Sequence, residues 1–82
     1  MPPLMKYIVF RDGSLELPVL FPSMLVHRFV AEALLSYRGD HVELQDLVSA
    51  GFWNGAACSG ESESLRLKAR PEDAELIRRF LR

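Results

Sequence analysis

Leu4-Met5-Lys6-Tyr7-Ile8-Val9-Phe10-Arg11-Asp12-Gly13-Ser14-Leu15-Glu16-Leu17-Pro18-Val19-Leu20-Phe21 decides the fold, because two runs of strand-favouring residues flank an Asp-Gly pair. Asp-Gly supplies the two positive-φ positions of a type I′ turn, whose twist matches the strands it joins. With Asp12 and Gly13 as the loop, Phe10 is expected opposite Leu15, Ile8 opposite Leu17 and Lys6 opposite Val19 on one face. Val9 then opposes Glu16, and Tyr7 opposes Pro18, on the other. The first face is core. The second carries Met5, Tyr7, Val9 and Pro18, more apolar than the solvated face of an antiparallel sheet, and so needs a cover. Pro18 has no N–H for a ladder, so the second strand is expected to lie at a sheet edge, to bulge, or to stop there.

Outward from this hairpin, Ser23 can cap a helix running to Tyr37 and ended by Gly39. Val26, Phe29, Val30, Ala33, Leu34 and Tyr37 form its expected buried stripe, with His27, Arg28, Ala31, Glu32, Leu35 and Ser36 opposite. Residues Val42 to Trp53 read as the next strand region, Asn54-Gly55 turns it, and Ala56 to Ala69 returns. In the return, Leu65, Leu67 and Ala69 alternate with Arg66, Lys68 and Arg70, and Gly60 in the Ser-Glu run predicts a bulge or short loop. Adjacent Phe52 and Trp53 point to opposite faces, so one of them is off the core unless both faces are covered.

The final helix opens at Pro71, with Glu72, Asp73 and Glu75 in its first turn and Arg78, Arg79 and Arg82 near its end, complementing the macrodipole at both ends. Ala74, Leu76, Ile77, Phe80 and Leu81 make its apolar side, and Glu75 can pair with Arg78 or Arg79. The expected fold is a single α+β domain over residues 1–82 in the order β-β-α-β-β-α. Its two-layer sandwich sets two helices on one face of an antiparallel sheet built from two hairpins.

A chain of 82 residues builds one modest core,. Its single cysteine, Cys58, permits no internal disulfide and no thiolate zinc site, so self-association is the remaining means of reinforcing so small a domain,. Ten basic and eleven acidic side chains leave a net charge of -1, which gives no overall field toward nucleic acid or anionic membrane,. No leader pattern opens the chain, and Pro18 and Pro22 interrupt its most apolar stretch, so a cytoplasmic protein is expected.

Candidate chemistry is sparse. Gly55-Ala56-Ala57-Cys58-Ser59-Gly60-Glu61-Ser62 has P-loop glycine spacing, but Glu61 stands where a lysine must neutralise phosphate, and a strand pattern follows instead of a helix. Cysteine hydrolysis would need Cys58 activated by His27 or His41, with no local signature for either. The same two histidines and scattered carboxylates lack the spacing of a metal site. The residues therefore point to no enzyme, cofactor, metal or small-molecule ligand. The stretch Ser59–Ser64 reads as an exposed connection whose hydroxyls satisfy local backbone groups.

Phe21-Pro22, His27, Val48-Ser49-Ala50-Gly51-Phe52, Cys58, Gly60, Ser62, Ser64-Leu65, Leu67 and Arg70-Pro71-Glu72-Asp73-Ala74 together resemble small uncharacterised proteins encoded by phages and prophages. The resemblance implies a bacterial or phage-infected host and brings no activity or catalytic residues with it.

The residues themselves favour a homodimer or protein-binding module that associates through Met5, Tyr7, Val9, Pro18 and Trp53 on the apolar sheet face. The alternative is nucleic-acid binding through Arg66, Lys68 and Arg70 on one strand face, with Arg78 and Arg79 on the last helix. Glu43 opposite one of these cations, with Glu61, Glu63, Glu72, Asp73 and Glu75 interleaved, weakens that alternative.

Overall fold

The computed structural model describes residues 4–38 and 46–81. Strands β1 (Met5–Asp12) and β2 (Leu15–Pro22) form the expected hairpin, with a different turn. Asp12 pairs with Leu15, so the two loop residues are Gly13 and Ser14. Gly13 has φ +63° and Ser14 is not left-handed, the φ pattern of a type II′ turn with glycine first,. Phe10 therefore faces Leu17, Ile8 faces Val19, Val9 faces Pro18 and Tyr7 faces Leu20. The partners move by two positions, which leaves every side chain on its predicted face.

Pairing runs unbroken through Pro18, and β2 is the outermost strand of its sheet. A proline tolerated in such a ladder turns its nitrogen to the open edge. Pro22 repeats that orientation four residues on, so the edge lacks donors at two positions where another strand would add.

β1 pairs on its other side with β3 (Leu47–Trp53), which turns into the short β4 (Cys58–Ser59), giving the antiparallel order β2-β1-β3-β4. A bulge lets Val9 face Ser49 while Phe10 faces Leu47. The Asn-Gly turn falls where expected, inside a four-residue connection. Asn54 Oδ1 accepts from the N–H groups of Ala56 and Ala57 at 2.9 and 2.8 Å.

Gly60, at φ +75°, takes the chain out of the sheet. The single expected return strand is thus divided. β5 (Glu61–Ser62) and β6 (Leu67–Lys68) make a separate two-stranded ribbon, and Arg66 occupies a left-handed turn position, φ +57°, between them.

Helices α1 (His27–Arg38) and α2 (Asp73–Phe80) do not share a face. Ala31, with Val30, Leu34 and Leu35, packs on Ile8, Phe10, Phe21 and Ala50. Ile77, with Ala74 and Leu76, packs on Tyr7, Val9 and Trp53. Ile8 and Phe10 alternate with Tyr7 and Val9 along β1, so the two clusters lie on opposite faces of the sheet. The molecule has three layers, α1, sheet, α2, in place of the two expected. The cover over Tyr7 and Val9 is the chain's own last helix, which also packs on Trp53 and so resolves the Phe52–Trp53 problem.

α1 begins later than the Ser23 cap predicts, because Leu25 N–H closes a turn on the Pro22 carbonyl at 3.1 Å. Its buried stripe is also rotated, to His27, Val30, Ala31, Leu34 and Leu35, leaving Val26, Phe29 and Ala33 outside. The expectations at Gly39, His41, Val42, Glu43 and Arg82, and for the Tyr37 side chain, fall outside the described residues. Among the described residues no helix is long and apolar enough to cross a membrane.

Candidate functional site

Three of the five residues anticipated as an exposed interface are interior: Tyr7 and Val9 are 0% exposed and Trp53 is 5% exposed. Met5 and Pro18 are half-buried. α2 occupies the surface that these side chains were expected to offer a partner.

A chain of polar contacts locks α2 there. The Tyr7 hydroxyl donates to Asp73 Oδ2 at 2.6 Å, and the backbone N–H of Arg70 donates to the same oxygen at 2.8 Å. Arg70 Nε donates to Asp73 Oδ1 at 2.9 Å, while its Nη2 and Nη1 grip Glu16 at 2.8 and 3.2 Å. Asp73 N–H returns to the Arg70 carbonyl at 3.1 Å, so Arg70 and Asp73 close the turn that leads into α2 by two reciprocal bonds. Burial, and then the Asp73 carboxylate, push the Tyr7 phenol far above its usual range.

Arg70, and then Arg11, hold the Glu16 carboxyl down at about 2 from an ordinary 4.5. A carboxylate with a depressed folded pKa stabilises the fold above its unfolded pKa and loses that contribution as pH falls through the folded value. Acid unfolding is therefore expected to steepen between about pH 4.5 and 2. Urea titrations across that window should give Glu16→Gln a shallower loss than the parent; equal slopes would remove Glu16 from the acid response.

Cys58 packs beside the same cluster, and burial raises its thiol pKa, the opposite of an activated nucleophile,. His27 lies on the other side of the sheet, edge-on to Phe21 and Phe52, with ring Nε2 donating to the Gly51 carbonyl at 3.0 Å. Burial lowers its pKa. Cys58 and His27 are thus kept apart by the sheet, and His41 lies outside the described residues. No group of three or more His, Cys, Asp or Glu able to hold a metal occurs among the described residues.

A cleft of about 630 Å³ opens between the start of α1 and the β5–β6 ribbon, with Val26, His27 and Phe52 facing Glu61, Glu63 and Ser64. Its lysine, histidine and serine side chains are already used within the fold. Lys6 Nζ donates to the Leu25 carbonyl at 2.8 Å, and Ser64 Oγ accepts the Arg28 N–H at 3.3 Å, capping α1 from across the cleft. Ser62 Oγ accepts the Leu65 N–H at 3.2 Å. The Ser-Glu run meets its expected role in part: Ser62 serves the local Leu65 N–H but is buried in β5, and Ser64 serves α1, distant in sequence.

The cations proposed for nucleic acid are not assembled into one surface. Arg70 is bound to Glu16 and Asp73, and Arg78 to Glu75 at 3.3 Å and the Ala56 carbonyl at 2.7 Å. Arg79 reaches Glu75 at 3.9 Å. Arg66 and Lys68 flank Leu67, which packs on the α1 side, whereas Arg78 and Arg79 ride on α2.

Among the described residues the fold leaves open the end of α2, where Phe80 and Leu81, expected on that helix's apolar side, are 51% and 60% exposed, and the outer face of α1 with the turn before it. Met24 is 85% exposed, Phe29 68% and Val26 54%. The sequence points away from this surface because Val26, Phe29 and Ala33 complete a plausible apolar stripe. The competing stripe wins because His27, a polar residue in the count, finds a carbonyl and two aromatic edges inside. Comparison with known proteins finds no matching family model, no matching curated protein and no matching solved structure.

Proposed function

We propose that this chain is a non-enzymatic protein-association module whose working surface is the outer face of α1 with the preceding turn. The observation that carries this reading is the run of Met24, Val26 and Phe29, large apolar side chains exposed within six residues. Single exposed apolar residues are ordinary, but a cluster at one end of one helix is the pattern of an interaction site. Side-chain docking also fits the sheet edges: β2 is blunted by two prolines, and β4 has only two residues,. The resemblance to phage and prophage proteins makes a bacterial cytoplasm the proposed setting. Nucleic-acid binding is the weaker reading, since Arg70 and Arg78 are engaged in ion pairs.

Phe29→Asp tests the proposal. At a site 68% exposed, the substitution should change stability by no more than about 0.5 kcal/mol,. It should abolish association, read as sedimentation mass and as the proteins retained from host lysate relative to the parent. If parent and variant match in both readouts, the α1 face is not the working surface.

A further inference from the structure

We infer that the occupant of this face is a second copy of the chain, with the two α1 helices antiparallel about a two-fold axis at the level of Val30, placing Arg28 of each copy against Glu32 of the other. The inference rests on the association reading above and adds the partner and its orientation. Its basis is the charge pattern beside the apolar stripe. At about 100° per residue, Phe29 points outward, Val26 and Ala33 fall on one flank, and Glu32 and Arg28 fall on the other. Arg28 and Glu32 are 53% and 57% exposed and already bonded within the helix, Nε to Oε1, at 3.0 Å, with Arg28 Nη1 also donating to the Ser64 carbonyl at 3.5 Å and Nη2 left for a facing carboxylate.

A two-fold axis perpendicular to an antiparallel helix pair keeps each flank facing its own counterpart and reverses direction along the helix. Centred at Val30, it brings Arg28 opposite Glu32, and Glu32 opposite Arg28. The same operation sets Phe29 against its own copy across the axis and Val26 near the small Ala33, which allows close approach. The stripe is thus complementary to itself in both shape and charge. A partner of another sequence would need a matched cation and anion at these levels; a second copy supplies them automatically.

One face of a 12-residue helix is smaller than a standard interface, so the dimer should be weak and its mass is best read near ~100 µM,. The parent should sediment as a dimer there. Arg28→Glu alone and Glu32→Arg alone each create two like-charge contacts and should weaken dimerisation about 10- to 100-fold, with unchanged circular dichroism. An equimolar mixture of the two variants restores opposite charges at both contacts and should recover the dimer, as should the doubly exchanged chain. A monomeric parent, single variants that dimerise normally, or a mixture that stays monomeric would each overturn the inference. A monomeric parent whose Phe29→Asp variant nonetheless loses a retained protein would overturn only the self-pairing. A dimer insensitive to Phe29→Asp would remove the surface as well.

Discussion

Replacing Asp73 with alanine is expected to lower the unfolding free energy by about 3–5 kcal/mol, read from urea titration at neutral pH. The carboxylate is 0% exposed and receives three separate donors: the Tyr7 hydroxyl, the Arg70 N–H and the Arg70 side chain. Alanine leaves the Tyr7 hydroxyl buried without its acceptor, which alone costs about 1–3 kcal/mol. It also leaves the Arg70 N–H without its acceptor and removes one of the three anions around Arg70, with Glu16 at 2.8 Å and Glu72 at 4.0 Å remaining,. A domain of this length is stable by roughly 4–12 kcal/mol in total, so the variant should stand close to unfolding.

Asparagine keeps the shape and offers only one acceptor oxygen, so at least one donor meets an amide NH2; its loss should be real and smaller. Tyr7→Phe should cost about 1–3 kcal/mol, and the double variant less than the sum, because both changes break the same bond. A loss below about 1 kcal/mol for Asp73→Ala would show that this network does not hold α2 in place.

The parts of the fold legible in the sequence are those fixed by local chemistry. Both hairpins, the bend at Gly60 and the charge pattern of α2 follow from turn glycines and helix-end charges that act over a few residues. The face assignment of β1 also survives, since a register error of two positions preserves side-chain parity. The sequence likewise signals that Met5, Tyr7 and Val9 need a cover. It does not say what the cover is, because a cover from α2 and one from a second molecule impose the same apolar pattern on the strand.

Asp73 illustrates the same limit. Three residues after Arg70 and in the first helical turn, it satisfies the dipole rule whether exposed or buried. Only the hydroxyl on an otherwise apolar strand face, Tyr7, hints that an acceptor must approach it. The α1 surface is hidden for a different reason. Two overlapping stripes fit the helical period, and the choice between them depends on the Gly51 carbonyl and on Phe21 and Phe52, all distant from His27 or on other strands.

Ile77→Ala should cost about 2–5 kcal/mol and act chiefly on the α2 side of the sheet. Ile77 is 0% exposed and is the one helix residue among the four buried side chains of the second core, with Tyr7, Val9 and Trp53. An eight-residue helix does not persist in water without docking, so weakening this contact weakens the helix itself,. Trp53, the single tryptophan, lies in that core at 5% exposure and reports on it directly. The urea midpoint should fall, whether followed by Trp53 fluorescence or by circular dichroism. Amide exchange in α2 should accelerate more than exchange in β1. If α2 opens locally, Tyr7, Val9 and Trp53 become wet and the variant should self-associate nonspecifically, through the sheet face that the native chain keeps covered. The contrast with Phe29 is decisive. Phenylalanine is the larger side chain, yet its replacement at the exposed α1 face should leave stability nearly unchanged and alter association, whereas Ile77 should do the reverse. A stability loss below about 1 kcal/mol for Ile77→Ala, or one equalled by a Phe29 variant, would undo this division between a structural α2 face and a functional α1 face.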